Sequence, residues 1–577
     1  MSGTDAKRQL VVLGCSATKV DAAGPLPAVT LYDGPMYRVL RSYLRERRWP
    51  TSLSLAVLSA KYGLIGGLSH IETYDQRMTR ERAQELADSV TGSLTEVASR
   101  HRRIELVLGQ DYVRSVDVAA LRRCGTTVTV TPGPIGMKLS RFRQLLHSFG
   151  EPERPPAELE RRGKRALYFL PDWDDFLDLD YDFDTDTFSA PQRAGRREVH
   201  SISLMRPRKL CDGVLVSLAQ HLGSKGLLKR VGMLQPEAMT PVSVRSHFRL
   251  QDNQWAFGDC GAFSYVAEDR PTISVQQAVA LYDLYDFDFG ASVDHIPVPA
   301  IATPRGKVEL TKAQQEERVR LTRTNAEAFI NLHRRFGAKF IPVGIIQGVN
   351  SEDYASQLPV YWSMGYRHIA LGGLVPRKDA DVLAVVRGVH AQAKKLGISP
   401  WIHLFGIYRP KLQKEFRTLG IDSFDSATYF RKAWLRSDQN YLGTDGTWYA
   451  AIRVPPTSDP RTMERLRASG RSDADILRLE KAALDALQGY DAGRIGITDT
   501  LTAIAEYDKL LTRGQSLDER LLAAYRHTLE RRPWDDCSCR VCQDIGINAL
   551  IFRGCNRNKR RGAHNTLMLY QSLMTRT

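Results

Sequence analysis

The chain has 577 residues, of which 43% are hydrophobic, 25% charged and 8% aromatic, and this composition excludes disorder, collagen and coiled coil as descriptions of the whole chain. The formal net charge of +16 favours a polyanionic partner. No stretch approaches the ~18 apolar residues of a membrane span, so we expect no membrane association.

The first 150 residues predict a small α/β domain. The opening segment, MSGTDAKRQLVVLG, lacks the longer apolar region and cleavage site of a signal peptide, so we expect a cytoplasmic protein. The apolar runs QLVVLG, LSLAVLSA, IELVLG and TTVTVT then alternate with charged, helix-like segments. This alternation favours a mainly parallel sheet.

A change of composition at residues 151–199 predicts a linker. The segment EPERPPAELERRGKR is followed by DWDDFLDLDYDFDTD, in which every second or third residue is aspartate. A block of like charges is typical of a solvated, self-repelling spacer. The alternative is an internal mimic of nucleic acid that covers a basic groove.

Residues 200–577 show repeated strand-like runs separated by amphipathic helical stretches. The runs are GVLVSL, FDFGASVDHI, KFIPVGIIQG, HIALGGL, PWIHLFG and GIDSFDSA. This βα pattern predicts a (β/α)₈ TIM barrel, with a doubly wound open sheet as the alternative. The expected fold class is therefore α/β, a small N-terminal domain followed by a C-terminal barrel.

Four of the eight cysteines lie in one short stretch near the end of the chain. Cys537, Cys539 and Cys542 form a C-x-C-x-x-C pattern, and His564 follows within GAHNTLMLY. Three thiolates and one imidazole suit a closed tetrahedral Zn²⁺ site that leaves no open position for catalysis. We expect one structural zinc ion in a subdomain at about residues 530–570, with Cys555 as the alternative fourth ligand.

Polar or glycine residues stand at the carboxyl ends of five expected barrel strands. They are Asp259 in GDCGAF, Asp294 in GASVDHI, Gln347 in GIIQG, Gly372 and Gly373 in LGGL, and Asp425 in GIDSFDSA. A single such aspartate is typical of a helix cap or a turn. An ordered series of them predicts an active site, because residues distant in sequence meet at that edge of a barrel.

The ordered motifs D-x-G-x-F, S-x-D, I-x-Q-G, G-G-L, G-I-D-x-F-D and C-x-C-x-x-C with a downstream H-N resemble the tRNA-guanine transglycosylase superfamily. The resemblance spans roughly residues 200–577. It implies a (β/α)₈ barrel with a zinc subdomain that exchanges a guanine in nucleic acid for a 7-deazaguanine.

The resemblance also implies a role for each site residue. Asp425 would be the nucleophile that attacks C1′, and Asp259 the general acid and base. Asp294 and Gln347 would hydrogen-bond the edge of the bound purine. The substrate pocket would be completed by Gly372, Gly373 and Leu374, and by Phe405, which either stacks on the base or packs in the core.

Two departures from the family indicate the substrates. The segment ATYFRKAW replaces the basic Pro-Thr-Arg segment of the tRNA-modifying members, although Arg431 and Lys432 keep positive charge nearby. The segment after the glycines is VPRKD, and Lys378 there would repel a cationic aminomethyl group. We therefore expect DNA as the preferred polymer, with tRNA as the alternative, and the neutral base 7-cyano-7-deazaguanine (preQ0).

The segments CSATK, LYDGPMY and LSAKYGLI of the first 150 residues are similar to YaaA-like proteins, some of which are associated with DNA. Either Cys15, Ser16, Lys19, Lys61 and Tyr62 form an anion or nucleotide pocket, or these segments are tight turns. A transglycosylase barrel with this extension resembles the DNA-acting branch of the superfamily, found in deazaguanine DNA-modification clusters. Other proteins of such a cluster are possible partners.

Basic clusters at RSYLRERRW, SRHRR, ERRGKR and NRNKRRGAH are candidates for contacts with a phosphate backbone. The alternative for each is a solvated helix face. A further hypothesis is a catalytically silent barrel that only binds nucleic acid, and the presence of both Asp259 and Asp425 in their motifs argues against it.

Overall fold

A computed structural model describes most of the chain. The described residues are 8–22, 24–151, 153–154, 165–172, 176–189, 198–221, 239–303, 306–435, 438–512 and 518–575. None of the helices in these ranges is long and apolar enough to cross a membrane.

The N-terminal unit, which is the described part of residues 1–150, contains a five-stranded sheet in the order β4-β3-β1-β6-β7. The strands are β1 Arg8–Gly14, β2 Leu26–Pro27, β3 Leu53–Ser59, β4 Gly63–Gly66, β5 His70–Ile71, β6 His101–Val107 and β7 Thr127–Val130. The helices are Ala28–Leu31, Pro35–Glu46, Arg80–Ala98, Gln110–Val113, Val118–Arg123 and Ile135–Ser148. Only the β3–β4 pair of this sheet is antiparallel, which confirms the expectation of a mainly parallel sheet.

The central strand of this sheet is buried on both faces. Val11 and Leu13 of β1 belong to one apolar cluster, whereas Leu10 and Val12 belong to another. Side chains alternate between the two faces of a strand, so each face is covered by its own helices. The continuous run QLVVLG is therefore the signature of a parallel strand inside an α/β layer.

Residues 165–435 form a closed barrel of eight parallel strands in the order β8-β11-β12-β13-β16-β17-β18-β19. The strands in this region are β8 Leu167–Pro171, β9 Phe176–Asp178, β10 Glu198–His200, β11 Gly213–Ser217, β12 Trp255–Asp259, β13 Phe289–Ala291, β14 Ala300–Thr303, β15 Gly306–Glu309, β16 Ile341–Ile346, β17 His368–Leu371, β18 Trp401–Leu404 and β19 Ser423–Asp425. β8 pairs with both β11 and β19 and closes the barrel. The barrel prediction is confirmed, and the open sheet is excluded.

The helices of this region have clear local start and stop signals. They are Ser201–Leu204, Leu218–His221, Val244–His247, Val275–Leu284, Lys312–Phe336, Ser351–Met364, Asp379–Leu396, Gln413–Thr418 and Thr428–Lys432, with short 3₁₀ turns at Ala262–Tyr265 and Pro410–Leu412. Thr311 and Asn350 form capping boxes before two of the longest helices. Gly337 and Gly365 end the same two helices in the left-handed conformation, which favours glycine.

The prediction of an acidic linker at residues 151–199 is wrong where the structure describes that segment. Leu167–Pro171 is a barrel strand, and Phe176–Asp178 pairs with Glu198–His200. The carboxylate of Asp186 is largely buried and forms ion pairs with Arg553 and Arg557. At least one negative charge of this segment is therefore paired with arginines inside the protein, and this pairing argues against both the solvated spacer and the nucleic-acid mimic.

The elements after residue 435 form a mainly helical region. They are the strands β20 Tyr441–Leu442, β21 Trp448–Tyr449, β22 Ile452–Arg453 and β23 Ile551–Phe552, and the helices Pro460–Arg467, Asp473–Asp491, Ile497–Leu511, Glu519–Arg531, Arg540–Ile545 and Gly554–Thr575. We call Gly554–Thr575 the C-terminal helix.

The C-terminal helix corrects the interpretation of the cluster NRNKRRGAH as a phosphate contact. Arg557, Arg560 and Arg561 are each 3% exposed or less. Arg561 donates to the carbonyl groups of Ala549 and Ala433, and Arg560 donates to that of Asp178. These guanidinium groups tie the helix to the rest of the fold because each satisfies carbonyl oxygens that water cannot reach.

The N-terminal unit packs directly against the barrel. The Gln277 side chain donates to the Pro25 carbonyl at 2.9 Å, and the Arg45 guanidinium donates to the Phe336 carbonyl at 2.9 Å. Arg48 also forms an ion pair with Asp286 at 3.2 Å. The cluster RSYLRERRW therefore lies where the two parts of the protein meet, and two of its arginines bind the barrel.

Candidate active site

The carboxyl ends of the barrel strands form one edge, which we call the catalytic face. Asp259 is the last residue of β12 and Asp425 the last residue of β19. Asp294 and Gln347 follow β13 and β16 within three residues. The structure thus brings together four side chains that are far apart in the sequence, as the barrel topology predicts.

The floor beneath these side chains is a dry layer of rings inside the barrel. Phe169, Phe257 and Phe289 pack edge to face or tilted, with ring centroids 5.3–5.9 Å apart. Trp401 stacks on Phe289 at 5.4 Å. A closed apolar floor excludes water from below, so charges at the catalytic face interact more strongly than they would in bulk solvent.

Asp425 is held by two hydrogen-bond donors and is only 6% exposed. Its Oδ1 atom lies 3.1 Å from His403 Nε2 and accepts from the Gly406 backbone N–H at 2.8 Å. The other ring nitrogen of His403 lies 2.6 Å from Ser423 Oγ. Burial lowers the pKa of His403, so the imidazole is neutral at pH 7 and donates through Nε2 to the carboxylate.

His403 is a functional residue that the sequence interpretation missed. It is fully buried, and it lies between Trp401 and Phe405 on the side of β18 that faces the barrel interior. The signal was a single polar residue at an inward position of the otherwise apolar strand WIHLF. Such a residue needs a polar partner inside the protein, and here the partner is Asp425.

Asp259 has a strongly perturbed carboxyl group. Burial raises its pKa to about 8, and the negative charges of Asp294 and Asp425 add to the effect, whereas backbone N–H groups of Gly261 and Cys260 oppose it. Two carboxyl groups close together resist simultaneous ionisation. Asp259 is therefore largely protonated at neutral pH, in a site where Asp425 receives two hydrogen bonds.

Asp294 and Gln347 form a buried polar pair. Gln347 Nε2 donates to Asp294 Oδ2 at 2.6 Å, and the Cys260 thiol donates to Asp294 Oδ1 at 2.8 Å. Burial raises the pKa of Asp294. The Oε1 atom of Gln347 is buried and has no hydrogen-bond partner among the described residues, so an acceptor is left for a ligand donor.

Gly372 and Gly373 leave room beside that amide group. A Cβ atom at Gly372 would lie 2.3 Å from Gln347 Nε2, and one at Gly373 would lie 2.6 Å from Gln347 Oε1. Gly373 also has a φ of +68°, a backbone conformation that favours glycine. The Leu374 side chain is fully buried, so only its backbone is available to a pocket.

Phe405 packs against the rings of the floor. Its ring meets His403 edge to face at 4.7 Å and is 5.9 Å from Phe257, but the residue is only partly buried. The ring therefore contacts the core of the barrel, and stacking on a bound base stays a prediction.

The positive charge near the glycine pair comes from Arg377. Its guanidinium donates to the carbonyl groups of Gly348 at 2.7 Å and Gly373 at 3.4 Å. Lys378, which was expected to supply that charge, is exposed at the start of the helix Asp379–Leu396. Beyond β19, Lys432 lies over the Trp448 ring at 3.9 Å.

A second cluster, away from the catalytic face, contains Cys537, Cys539, Cys542 and His564. All four are buried, and their ligand atoms lie within 4.8 Å of one another. The three sulfur atoms are 3.4–3.6 Å from His564 Nδ1. A tetrahedral zinc ion places sulfur and nitrogen ligands about 3.6 Å apart, so the cluster is able to bind a metal ion of this size.

Neighbouring groups hold the histidine in the orientation that ligation requires. The Nε2 atom of His564 lies 2.7 Å from the Leu442 carbonyl, which leaves Nδ1 free to face the sulfurs. The Tyr441 ring stacks on the imidazole at 4.1 Å. The side chain of Cys555, the alternative ligand, lies outside the described residues.

Comparison with known proteins gives two relatives and one family. The chain is 35% identical over 410 residues to the DNA-guanine transglycosylase of Salmonella montevideo, a match that covers 71% of this chain and 97% of that protein. It is 25% identical over 191 residues to the tRNA-guanine(15) transglycosylase of Methanococcus aeolicus, covering 33% of this chain and 28% of that protein. Residues 10–144 match DUF6884, a family of unknown function.

Proposed function

The chain belongs to the tRNA-guanine transglycosylase superfamily and is a base-exchanging pentosyltransferase, and we propose that it replaces guanine in DNA with a free 7-deazaguanine base. The observation that carries the mechanism is the contrast between two aspartates at the catalytic face. Asp425 is oriented by His403 and Gly406, whereas the pKa of Asp259 is raised to about 8. One carboxylate is ready to attack and the other is ready to give a proton.

In the first half-reaction, a carboxylate oxygen of Asp425 attacks C1′ of the target nucleotide. The bond between C1′ and the guanine breaks, and the proton of Asp259 goes to the departing base. A carboxylate stabilises the oxocarbenium-like transition state and then traps it as a glycosyl ester. The target must leave the helical stack before C1′ can reach Asp425.

In the second half-reaction, N9 of the incoming base attacks C1′ and displaces Asp425. Asp259, now ionised, accepts the N9 proton and returns to its starting state. Since one N-glycosidic bond replaces another, the exchange needs no energy source. Asp294 and Gln347 hold the purine edge, and the Oε1 atom of Gln347, which has no partner in the described part of the chain, is an acceptor available for it.

We propose a neutral 7-substituent, as in preQ0. A cationic aminomethyl group would meet the Arg377 guanidinium, which is bound at the Gly373 carbonyl. Like charges repel each other, and the repulsion is stronger in a partly buried site than in bulk water. The protein is therefore expected to incorporate preQ0 in preference to its aminomethyl analogue.

DNA is favoured over tRNA because of the extent of the two matches. The DNA-guanine transglycosylase is matched over 97% of its length, the tRNA enzyme over 28%. To test this, labelled guanine or preQ0 is incubated with the protein and either duplex DNA or bulk tRNA. Label in DNA supports the proposal; label in tRNA alone overturns the choice of DNA, and label in neither polymer contradicts base exchange.

Asp425→Asn tests the nucleophile. We expect the exchange rate to fall at least about a thousandfold, because the amide cannot form the glycosyl ester. The matched control is Asp381→Asn, an exposed aspartate on the helix after β17. A protein–DNA adduct that survives denaturation in the wild type but not in the variant supports covalent catalysis, and undiminished exchange contradicts it.

We propose Zn²⁺ as the ion held by Cys537, Cys539, Cys542 and His564. Three sulfurs and one nitrogen suit zinc, and four protein ligands leave no position for substrate. The ion would therefore hold the fold together. Metal analysis of the purified protein should find one zinc per chain, and loss of that metal in Cys542→Ser is the corresponding check.

A further inference from the structure

The carboxyl edge of the N-terminal sheet has the architecture of a ligand site. β1 is central, and the chain continues to β3 on one side of it and later to β6 on the other. Ligands of open α/β sheets bind where the strand order reverses, beyond the carboxyl ends of the strands. Cys15 and Ser16 follow β1, and Lys61 and Tyr62 follow β3, so all four lie at this edge.

Two lysine ammonium groups lie close to one aromatic ring there. The Nζ atom of Lys19 is 4.3 Å from the centre of the Tyr74 ring, and that of Lys61 is 5.6 Å from the same centre. Neither ammonium forms an ion pair with a carboxylate in the described part of the chain, whereas Arg38 and Arg41 nearby share Asp33. The edge therefore carries two uncompensated positive charges a short distance apart.

The groups beneath the lysines form a fixed network. The hydroxyl of Tyr74 lies 2.7 Å from that of Tyr32 and 2.8 Å from Ser59 Oγ. Ser59 Oγ also accepts from the backbone N–H groups of Lys61 and Tyr62, at 3.2 and 3.1 Å. These hydrogen bonds hold the loop after β3 in one conformation, so little conformational entropy is lost when a ligand binds to it.

An exposed ring stands beside the charges. Tyr62 is 37% exposed, and its ring meets Tyr74 edge to face at 5.4 Å. The Lys61 ammonium lies 5.0 Å from the Tyr62 ring centre. Cations next to an accessible aromatic face are typical of surfaces that bind an unpaired nucleic-acid strand, where phosphates meet the charges and a base stacks on the ring.

This edge lies on the same side of the protein as the catalytic face. The loop after β1 contacts the helix Val275–Leu284 at its first turn, where Gln277 binds the Pro25 carbonyl. That helix follows β12 and so begins near the carboxyl end of the strand that holds Asp259. A nucleic acid bound at the barrel can therefore extend to the edge of the N-terminal sheet.

We propose that Lys19, Lys61 and Tyr62 form a second binding site for the nucleic-acid substrate, with the lysines on the phosphodiester backbone and a base on Tyr62. The inference rests on the proposed function, because it takes the substrate to be a polymer. It assigns a task to the N-terminal unit, whose family match names none. The chemistry of the reaction stays at the barrel.

The test is Lys19→Gln/Lys61→Gln, compared with Lys394→Gln/Lys395→Gln. The control removes two exposed lysines in the last turn of the helix Asp379–Leu396, which lies outside the N-terminal unit and outside the basic clusters. Loss of two phosphate contacts should reduce the slope of log Kd against log salt by about 1.4 for a single strand. The KM for DNA should rise, with kcat and the KM for the base unchanged, and the control should match the wild type.

Tyr62→Ala separates stacking from charge. We expect roughly tenfold weaker binding of a DNA with an unpaired segment, without a change in salt slope. A salt slope that is unchanged in the double-lysine variant overturns the proposal. A second result would also overturn it: inorganic phosphate or a mononucleotide raises the melting temperature of the wild type but not of the double-lysine variant, while both proteins bind DNA equally well. The site would then bind a small anion and not the nucleic-acid strand.

These outcomes are independent of the test of base exchange. If the wild type exchanges no base but binds DNA in a way that depends on Lys19 and Lys61, the proposed function fails and the second site stands. If exchange occurs and the lysines have no effect on DNA binding, only the second site fails. The melting temperatures of the variants, expected to match the wild type because both lysines lie at the surface edge, exclude misfolding as the cause.

Discussion

At the scale of single residues, the orientation of Asp425 depends on His403. The imidazole is the only side chain that donates to this carboxylate among the described residues, and it is held in turn by Ser423. We expect His403→Phe, which keeps the ring but removes the donor, to lower kcat by roughly 10- to 100-fold, since a hydrogen bond to a charged group contributes about 1.5–3 kcal/mol. Single-turnover exchange with saturating DNA measures this.

His390→Phe is the matched control for that substitution. His390 lies on the outer helix Asp379–Leu396 and, within the described ranges, its ring hydrogen-bonds only the Leu419 carbonyl, so its loss should leave exchange nearly unchanged. A positioning role also predicts that the KM for DNA stays constant in His403→Phe. Equal losses in both variants would show a general effect on folding and would refute the specific role of His403.

The raised pKa of Asp259 predicts a pH limit to the reaction. Exchange should decrease as the pH rises through about 8, because the group that protonates the departing guanine is then ionised. Asp259→Asn should lose most of the activity, and the activity that remains should not decrease as the pH rises through about 8. The pH profile of kcat/KM measures it, and a rate that is flat between pH 7 and 9 would contradict the assignment of Asp259 as the acid.

The same shift predicts how stability depends on pH. The folded-state pKa of Asp259 lies above its usual value of 3.8, so the folded protein holds this proton more tightly than the unfolded chain does. This contribution to stability is complete below about pH 4 and is lost as the pH rises through about 8. The asparagine in Asp259→Asn cannot ionise. The melting temperature of this variant should therefore rise relative to that of the wild type as the pH is increased from 5 to 9.

At the scale of elements, the sequence was most informative where an apolar run ends in a polar residue. The runs that contain β13, β16 and β19 have this form and were predicted, together with Asp294, Gln347 and Asp425 at or just beyond their ends. β8 was missed because its five residues stand between charged segments. Composition cannot show that Asp186, in the acidic segment after β8, pairs with Arg553 and Arg557, which lie more than 360 residues away.

The acidic segment after β8 is expected to stabilise the fold. The Asp186 carboxylate pairs with Arg553 and Arg557 where all three side chains are at most 8% exposed. Asp186→Asn should lower the free energy of unfolding by about 3–5 kcal/mol, since it leaves buried arginine charge unpaired. Asparagine tolerates the positive φ of 54° at this position, so the backbone stays as it is.

Asp184→Asn is the control, because Asp184 is exposed in the same turn. Denaturant unfolding of both variants gives the comparison. If the two lose the same small amount of stability, the segment is a solvated spacer after all and the ion pairs with the C-terminal helix contribute nothing to the fold.

The metal-binding cluster is connected to the catalytic face by the C-terminal helix. Asn565, next to His564, donates to the carbonyl groups of Asn440 and Tyr429, and Arg561 donates to that of Ala433. The helix Thr428–Lys432, which follows Asp425, is thereby attached to the metal region. Cys542→Ser or strong chelation should lower the melting temperature by about 10 °C and exchange activity with it.

Cys124→Ser provides the comparison for Cys542→Ser. Cys124 is an exposed thiol in the N-terminal unit, far from the cluster in the sequence, and its substitution should change neither property. Addition of zinc after mild chelation should restore the melting temperature and activity together. Recovery of stability without activity would show that the cluster does not support the catalytic face.

At the scale of the whole molecule, the N-terminal unit and the barrel share one apolar core. Val29 and Leu55 of the first belong to the same cluster as Val279 and Leu281 of the second. Polar contacts cross the same boundary, including the ion pair of Arg48 with Asp286 at 3.2 Å. A cavity of about 890 Å³ between them is lined by arginines, several of which are paired in this way.

This shared core predicts that removal of residues 1–150 weakens the barrel itself. The apolar side chains of the helix Val275–Leu284 would meet water, at a cost of about 25 cal/mol for each Å² exposed. The truncated chain should melt at least several degrees below the full chain, and loss of DNA binding in it would not by itself identify a binding site. Equal melting temperatures would show that the two parts are independent. Only in that case would truncation test the DNA-binding role of the N-terminal unit, which Lys19→Gln/Lys61→Gln tests in the intact protein.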